Sequence, residues 1–90
     1  MPDFNTLARL ASIPAGRNIL AQVAKSGLIR FGDLLKRPEL QTTREQAKGV
    51  VTQLKNMDLI QIKEAPIDDF NTLYITADGI EASRKLGQLD

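Results

Sequence analysis

The chain contains neither cysteine nor histidine. Without cysteine there is no disulfide, no thiol nucleophile and no dithiol redox motif. Without histidine as well, the usual ligands of a transition metal are missing, which excludes a structural zinc site. No apolar run approaches the roughly 18 to 20 residues that span a bilayer, and Met1 to Ala11 lacks the basic start and apolar middle of a signal peptide. A cytoplasmic protein with no membrane partner is therefore expected. Three serines with no histidine to activate them, no glycine-rich phosphate loop and no glycine-serine elbow leave catalysis without a candidate. Asp68 and Asp69 are adjacent carboxylates, but acid–base work would require a pocket and perturbed pKa values, and turn chemistry suits them better. The expectation is a protein that is not an enzyme and needs no cofactor.

What is present is an ordinary globular composition, 42% apolar and 26% charged, over 90 residues, which bounds the answer to one small folded domain. The net charge of +1 hides an uneven distribution. Residues 1–41 hold six basic and three acidic side chains, and residues 42–57 add Arg44, Lys48 and Lys55 against Glu45. Residues 58–90 then hold Lys63, Arg84 and Lys85 against seven acids. Any surface for a polyanion must be local, because the chain as a whole carries almost no field.

Local signals divide the chain into short elements. Asn5 is a possible cap for a leading helix in which Phe4, Leu7, Ala8 and Ala11 fall at helical spacing, ending by residue 12. Pro14 suits the first turn of a second helix, whose apolar stripe of Ile19, Leu20, Val23 and Ala24 runs to Gly27. Leu28 to Phe31 is short and apolar, fit for a minimal strand. Gly32 to Arg37 reads as a helix of barely two turns, stopped by Pro38. Thr42 and Glu45 form a capping box that starts a longer helix. Ala47, Val50, Val51 and Leu54 define its buried side and leave Glu45, Lys48, Gly49, Thr52 and Asn56 outward. Residues 59–63 and 72–76 alternate as strands and should pair as a hairpin, with residues 64–71 as a projecting loop. Thr76 or Asp78 can cap a last helix over residues 77–90, with Ala82, Leu86 and Leu89 on one stripe and Ile80 on the other side.

Short helix, turn, longer helix, hairpin and helix is the order of a winged helix-turn-helix, and four short motifs resemble one superfamily of that shape. Arg17-Asn18-Ile19-Leu20 resembles the R-x-I-L that opens the first core helix of the winged-helix transcriptional regulators, and Phe31-Gly32-Asp33-Leu34-Leu35 resembles their second helix. The run from Leu54 to Ile60 is similar to L-x-x-x-G-L-I at the end of their recognition helix, and Ile75-Thr76-Ala77-Asp78-Gly79 to the L-T-x-x-G that leaves the wing. The similarity is nearest to the multiple-antibiotic-resistance and arsenical-resistance regulator groups. It implies an α+β, mostly helical fold: a winged-helix core over 13–76, flanked by a leading helix at 1–12 and a C-terminal helix at 77–90. Two positions depart from the pattern. Asp58 stands where these groups have glycine, and Asp69-Phe70 stands where they have an Asp-Arg pair whose arginine reaches DNA. The second departure predicts a wing that does not grip DNA, since two aspartates repel phosphate.

Carried over residue by residue, the resemblance implies duplex DNA as partner, with the helix starting near Thr42 in the major groove. Thr42, Thr43, Arg44, Lys48 and Thr52 then face bases or phosphates, with Lys55, Lys36, Arg37 and Arg30 holding the backbone on either side. The alternative for the same cations is a solvated surface, and the acidic wing with Ile67 and Phe70 equally suits a protein–protein contact. Phe4, Leu7, Ala11, Ile80, Leu86 and Leu89 exceed what one small core readily absorbs. They predict a homodimer through the terminal helices, against the alternative that both helices fold back on their own core.

Overall fold

The computed structural model describes residues 3–89, and side chains as far as residue 87. Five helices and three strands follow in the order α1 (Phe4–Ser12), α2 (Gly16–Ser26), β1 (Leu28–Arg30), α3 (Phe31–Leu35), α4 (Arg44–Asn56), β2 (Ile60–Lys63), β3 (Thr72–Ile75) and α5 (Ala77–Leu89), with a short 3-10 turn at Asp68–Phe70. The strands form one antiparallel sheet in the order β1-β3-β2. Ile62 stands opposite Leu73 in the hairpin, and Ile29 stands opposite the same Leu73 on its other edge, so one face of all three strands turns inward. The minimal strand at Leu28 thus pairs as expected.

Helix starts are where local signals and structure part. The cap of α1 is Asp3, whose carboxylate accepts from the Thr6 N–H at 2.8 Å, and not Asn5, which lies inside the helix. That hydrogen bond holds the Asp3 carboxyl below its ordinary range. Helix α2 begins at Gly16 instead of Pro14, because Ala15 turns left-handed at φ 63° and restarts the chain direction. The cap of α4 is Thr43, one residue later than expected. Its Oγ1 accepts from the Gln46 N–H at 3.1 Å, so the Thr42–Glu45 capping box does not form. Helix ends are better signalled. Gly27 closes α2 at φ 79°, and Asp58 adopts φ 59° after α4. Aspartate tolerates that left-handed geometry better than most residues.

The core gathers Leu10 from α1, Ile19, Leu20 and Val23 from α2, Leu34 from α3, the four inward residues of α4, Leu59, Ile60 and Leu73 from the hairpin, and Ala82 and Leu86 from α5. Leu86, expected at a dimer interface, is only 5% exposed and belongs to this core, since α5 packs back on α2. Leu7 is half-buried against the same cluster. Phe4, at 82% exposed, Ile80, at 41%, and Ala11 remain at the surface. The side chain of Leu89 lies outside the described residues.

One junction ties the end of α4 to the start of α5. The Thr76 hydroxyl lies 2.8 Å from the Asp58 carbonyl oxygen and 2.9 Å from that of Leu59, and accepts from the Gly79 N–H at 2.9 Å. Thr76, and not Asp78, thereby caps α5. Gly79 has no room for a side chain: a Cβ there would run into the Leu59 carbonyl oxygen and stand 2.7 Å from Ile75 Cδ1. The glycine of the L-T-x-x-G motif is required by this close crossing of two backbones.

Candidate nucleic-acid interface

Helix α4 turns Ala47, Val50, Val51 and Leu54 into the core, and this fixes which residues remain for a partner. Arg44, Lys48, Gly49, Thr52 and Lys55 are all exposed on the other side, with Thr43 at the capped N-terminus. The Thr52 hydroxyl donates to the Lys48 carbonyl at 3.0 Å, and nothing stands within 4 Å of where a Cβ on Gly49 would be. The surface is small, polar and basic, one turn of helix separating Arg44 from Lys48.

The wing does not project. After β2 the chain bends at Pro66, forms the 3-10 turn at Asp68–Phe70 and lies back against α3. Asn71 pins the loop: its side-chain oxygen accepts from the Ala65 N–H at 2.7 Å, and its carbonyl accepts from the Phe31 N–H at 2.8 Å. Gly32 makes the approach possible, because a Cβ there would lie 3.1 Å from both Cβ and the carbonyl oxygen of Asp69. The expected projecting loop is drawn in by charge complementarity between its aspartates and α4. Asp69 takes the Arg44 guanidinium with both carboxylate oxygens, the second at 3.3 Å from Nη2, and Asp68 Oδ2 takes Lys48 Nζ at 2.5 Å. Two adjacent aspartates thus pair with two cations spaced i, i+4. The hydrogen bond from Arg44 holds the Asp69 carboxyl below the usual carboxylate range, with the charges of Arg44 and Lys36 acting in the same direction, and Asp69 correspondingly raises Arg44.

Two ring contacts continue the arrangement. The Arg44 guanidinium lies 6.0 Å from the centroid of the buried Phe31 ring, and that of Arg30 lies 5.7 Å from the exposed Phe70 ring. Both are within the reach of cation–π attraction. Among the expected DNA contacts, Arg44, Lys48 and Arg30 are therefore gathered around the wing tip, and Lys36 is near enough to act on Asp69. Arg37 has a different role. It is half-buried, and its fork donates to Gln22 Oε1 at 3.0 Å and Ser26 Oγ at 2.5 Å, tying the end of α3 to α2. Thr42 is half-buried in the turn between α3 and α4, and its hydroxyl oxygen is buried with no hydrogen-bond partner among the described residues. Neither Arg37 nor Thr42 is presented outward as expected. What sequence reasoning missed is the part played by Asp68, Asp69, Gly32 and Asn71. The one available signal was a pair of neighbouring aspartates in a chain whose long helix carries two cations one turn apart.

The short helix, the turn and the long helix beside a hairpin define a winged-helix fold. No protein-family model and no curated protein matches the chain. Solved structures do match. NadR in complex with 4-hydroxyphenylacetate superposes with a TM-score of 0.70 at 22% identity, covering 91% of this chain and 57% of NadR, so the chain spans little more than half of that protein. A possible transcriptional regulator for arsenical resistance matches with a TM-score of 0.65 at 16% identity, covering 92% of this chain and 81% of the other. A winged-helix DNA-binding protein from STIV matches with a TM-score of 0.61 at 17% identity, over 81% of this chain and 79% of the other. The fold implied by the four motifs is thus the observed one.

Proposed function

We propose that the protein binds duplex DNA through α4 and regulates transcription as a homodimer in the cytoplasm, acting as a single winged-helix domain. The observation that carries the reading is the outward face of α4, which offers Thr43, Arg44, Lys48, Thr52 and Lys55 on the helix that winged-helix proteins lay in the major groove. The three similar folds support it, two of them described as a possible transcriptional regulator and a winged-helix DNA-binding protein. Arg44 and Lys48 read bases or hold phosphate, and Arg30, Lys36 and Lys55 hold the backbone. Exposed Phe4 and Ile80 on the terminal helices supply the apolar surface for a two-fold partner, which would set two α4 helices about one DNA turn apart.

The test is fluorescence titration of a labelled random duplex at two salt concentrations, with sedimentation equilibrium at micromolar protein. Binding that weakens steeply with salt, by a species of twice the chain mass, is expected. Salt-independent or absent binding would remove the DNA reading, and a clean monomer would remove the two-fold arrangement. One observation favours a second reading, a protein-interaction module. The wing aspartates neutralise the two central cations, while Ile67 and Phe70 stand 59% and 54% exposed beside them.

A further inference from the structure

The residues best suited to hold phosphate already hold carboxylates. Arg44 presents to Asp69 the same two-pronged fork it would present to a phosphate, and Lys48 meets Asp68 as it would meet the next phosphate oxygen along. The wing is seated for this contact by three features. Gly32 clears space for the Asp69 backbone, Asn71 closes the loop, and Phe70 rests under Arg30.

We propose that the wing is an intramolecular latch in which Asp68 and Asp69 stand in for DNA phosphate on α4, so that a duplex must displace the wing before Arg44 and Lys48 engage it. This rests on the DNA reading above and adds a closed state to it. Both ion pairs are about half exposed, and pairs of that kind are individually weak and screened by salt. The latch is therefore strong enough to bias the surface yet open to competition by a dense row of phosphates, which is what a reversible device requires. It also filters partners. A lone anion gains little by replacing a carboxylate already in place, whereas a duplex replaces both at once and adds contacts to Thr43, Thr52 and Lys55.

The experiment titrates one random duplex with four proteins at low and moderate salt. These are the wild type, the double variant Asp68→Asn with Asp69→Asn, the double variant Arg44→Gln with Lys48→Gln, and the four substitutions combined. The asparagine variant should bind the duplex about tenfold more tightly than the wild type at low salt, with the advantage shrinking as salt rises. In the glutamine background the asparagines should bring no gain, because no cations remain there to be released. An equal gain in both backgrounds, or no gain in either, would overturn the latch and leave the DNA reading intact. Absence of salt-sensitive binding by every form would overturn both.

Discussion

The inward face of α4 carries Ala47, Val50, Val51 and Leu54, all buried, while the outward face carries Arg44, Lys48, Thr52 and Lys55, all exposed. The first set follows a helical period and was readable from spacing alone, because removal from water is non-directional and depends only on which side a residue occupies. The second set has no period that states its partners. Arg44 and Lys48 meet residues 25 and 20 positions away, and only the bend of the wing brings them together. Burial patterns are written locally, but charge pairing on a surface is written by topology.

The comparison can be broken most severely on the inward face. Leu54 is fully buried, so Leu54→Ala should cost about 2 to 5 kcal/mol in chemical denaturation, through lost transfer energy and the cavity left behind. A cost below about 1 kcal/mol would mean that the site collapses freely and that this face is not close-packed. On the outward face, Arg44→Ala and Lys48→Ala should each weaken duplex affinity by about tenfold to a hundredfold while the denaturation midpoint barely moves. A shift in stability without a shift in affinity would reverse the roles given to the two faces.

Gly49 lies on the outward face. A methyl group there meets nothing, so Gly49→Ala should stabilise the protein by about 1 kcal/mol through helix propensity alone. If duplex affinity falls while stability rises, the glycine serves the close approach of a partner's backbone. An unchanged affinity makes it an uncritical surface position.

The smallest expected effect is a titration. Asp69 is held below the ordinary aspartate value of 3.8 by its hydrogen bond to Arg44, aided by Lys36. Because the folded pKa is depressed, the contact contributes fully above 3.8 and is lost as pH falls through the lower folded value. Carboxyl chemical shifts of Asp69 should therefore titrate below 3.8, together with the Arg44 side-chain signals. A midpoint at or above that value would show the pair to be unpopulated in solution.

Most of the fold was legible, and the failures share a cause. The strand at Leu28, the hairpin, the core of α4 and the left-handed turn at Asp58 all follow from spacing or from the conformational tastes of single residues. Helix starts slipped by one or two residues because Asp3 competes with Asn5, Thr43 with Thr42, and Ala15 with Pro14 for roles that several residue types can fill. At the candidate interface the helix and its cations were readable, whereas the seat for the wing, Gly32 against Asp69, was not. Leu86 shows the same limit from the apolar side. Its place on a stripe foretold that it would be covered, but not that the cover would be its own α2.

The Thr76 junction has a mechanical meaning. A single hydroxyl bridges the corner after α4 to the first turn of α5, and Gly79 presses against the same carbonyl. The corner after α4 and the first turn of α5 are therefore held as one unit, so a substitution at Thr76 or Gly79 would disturb the ends of both helices at once.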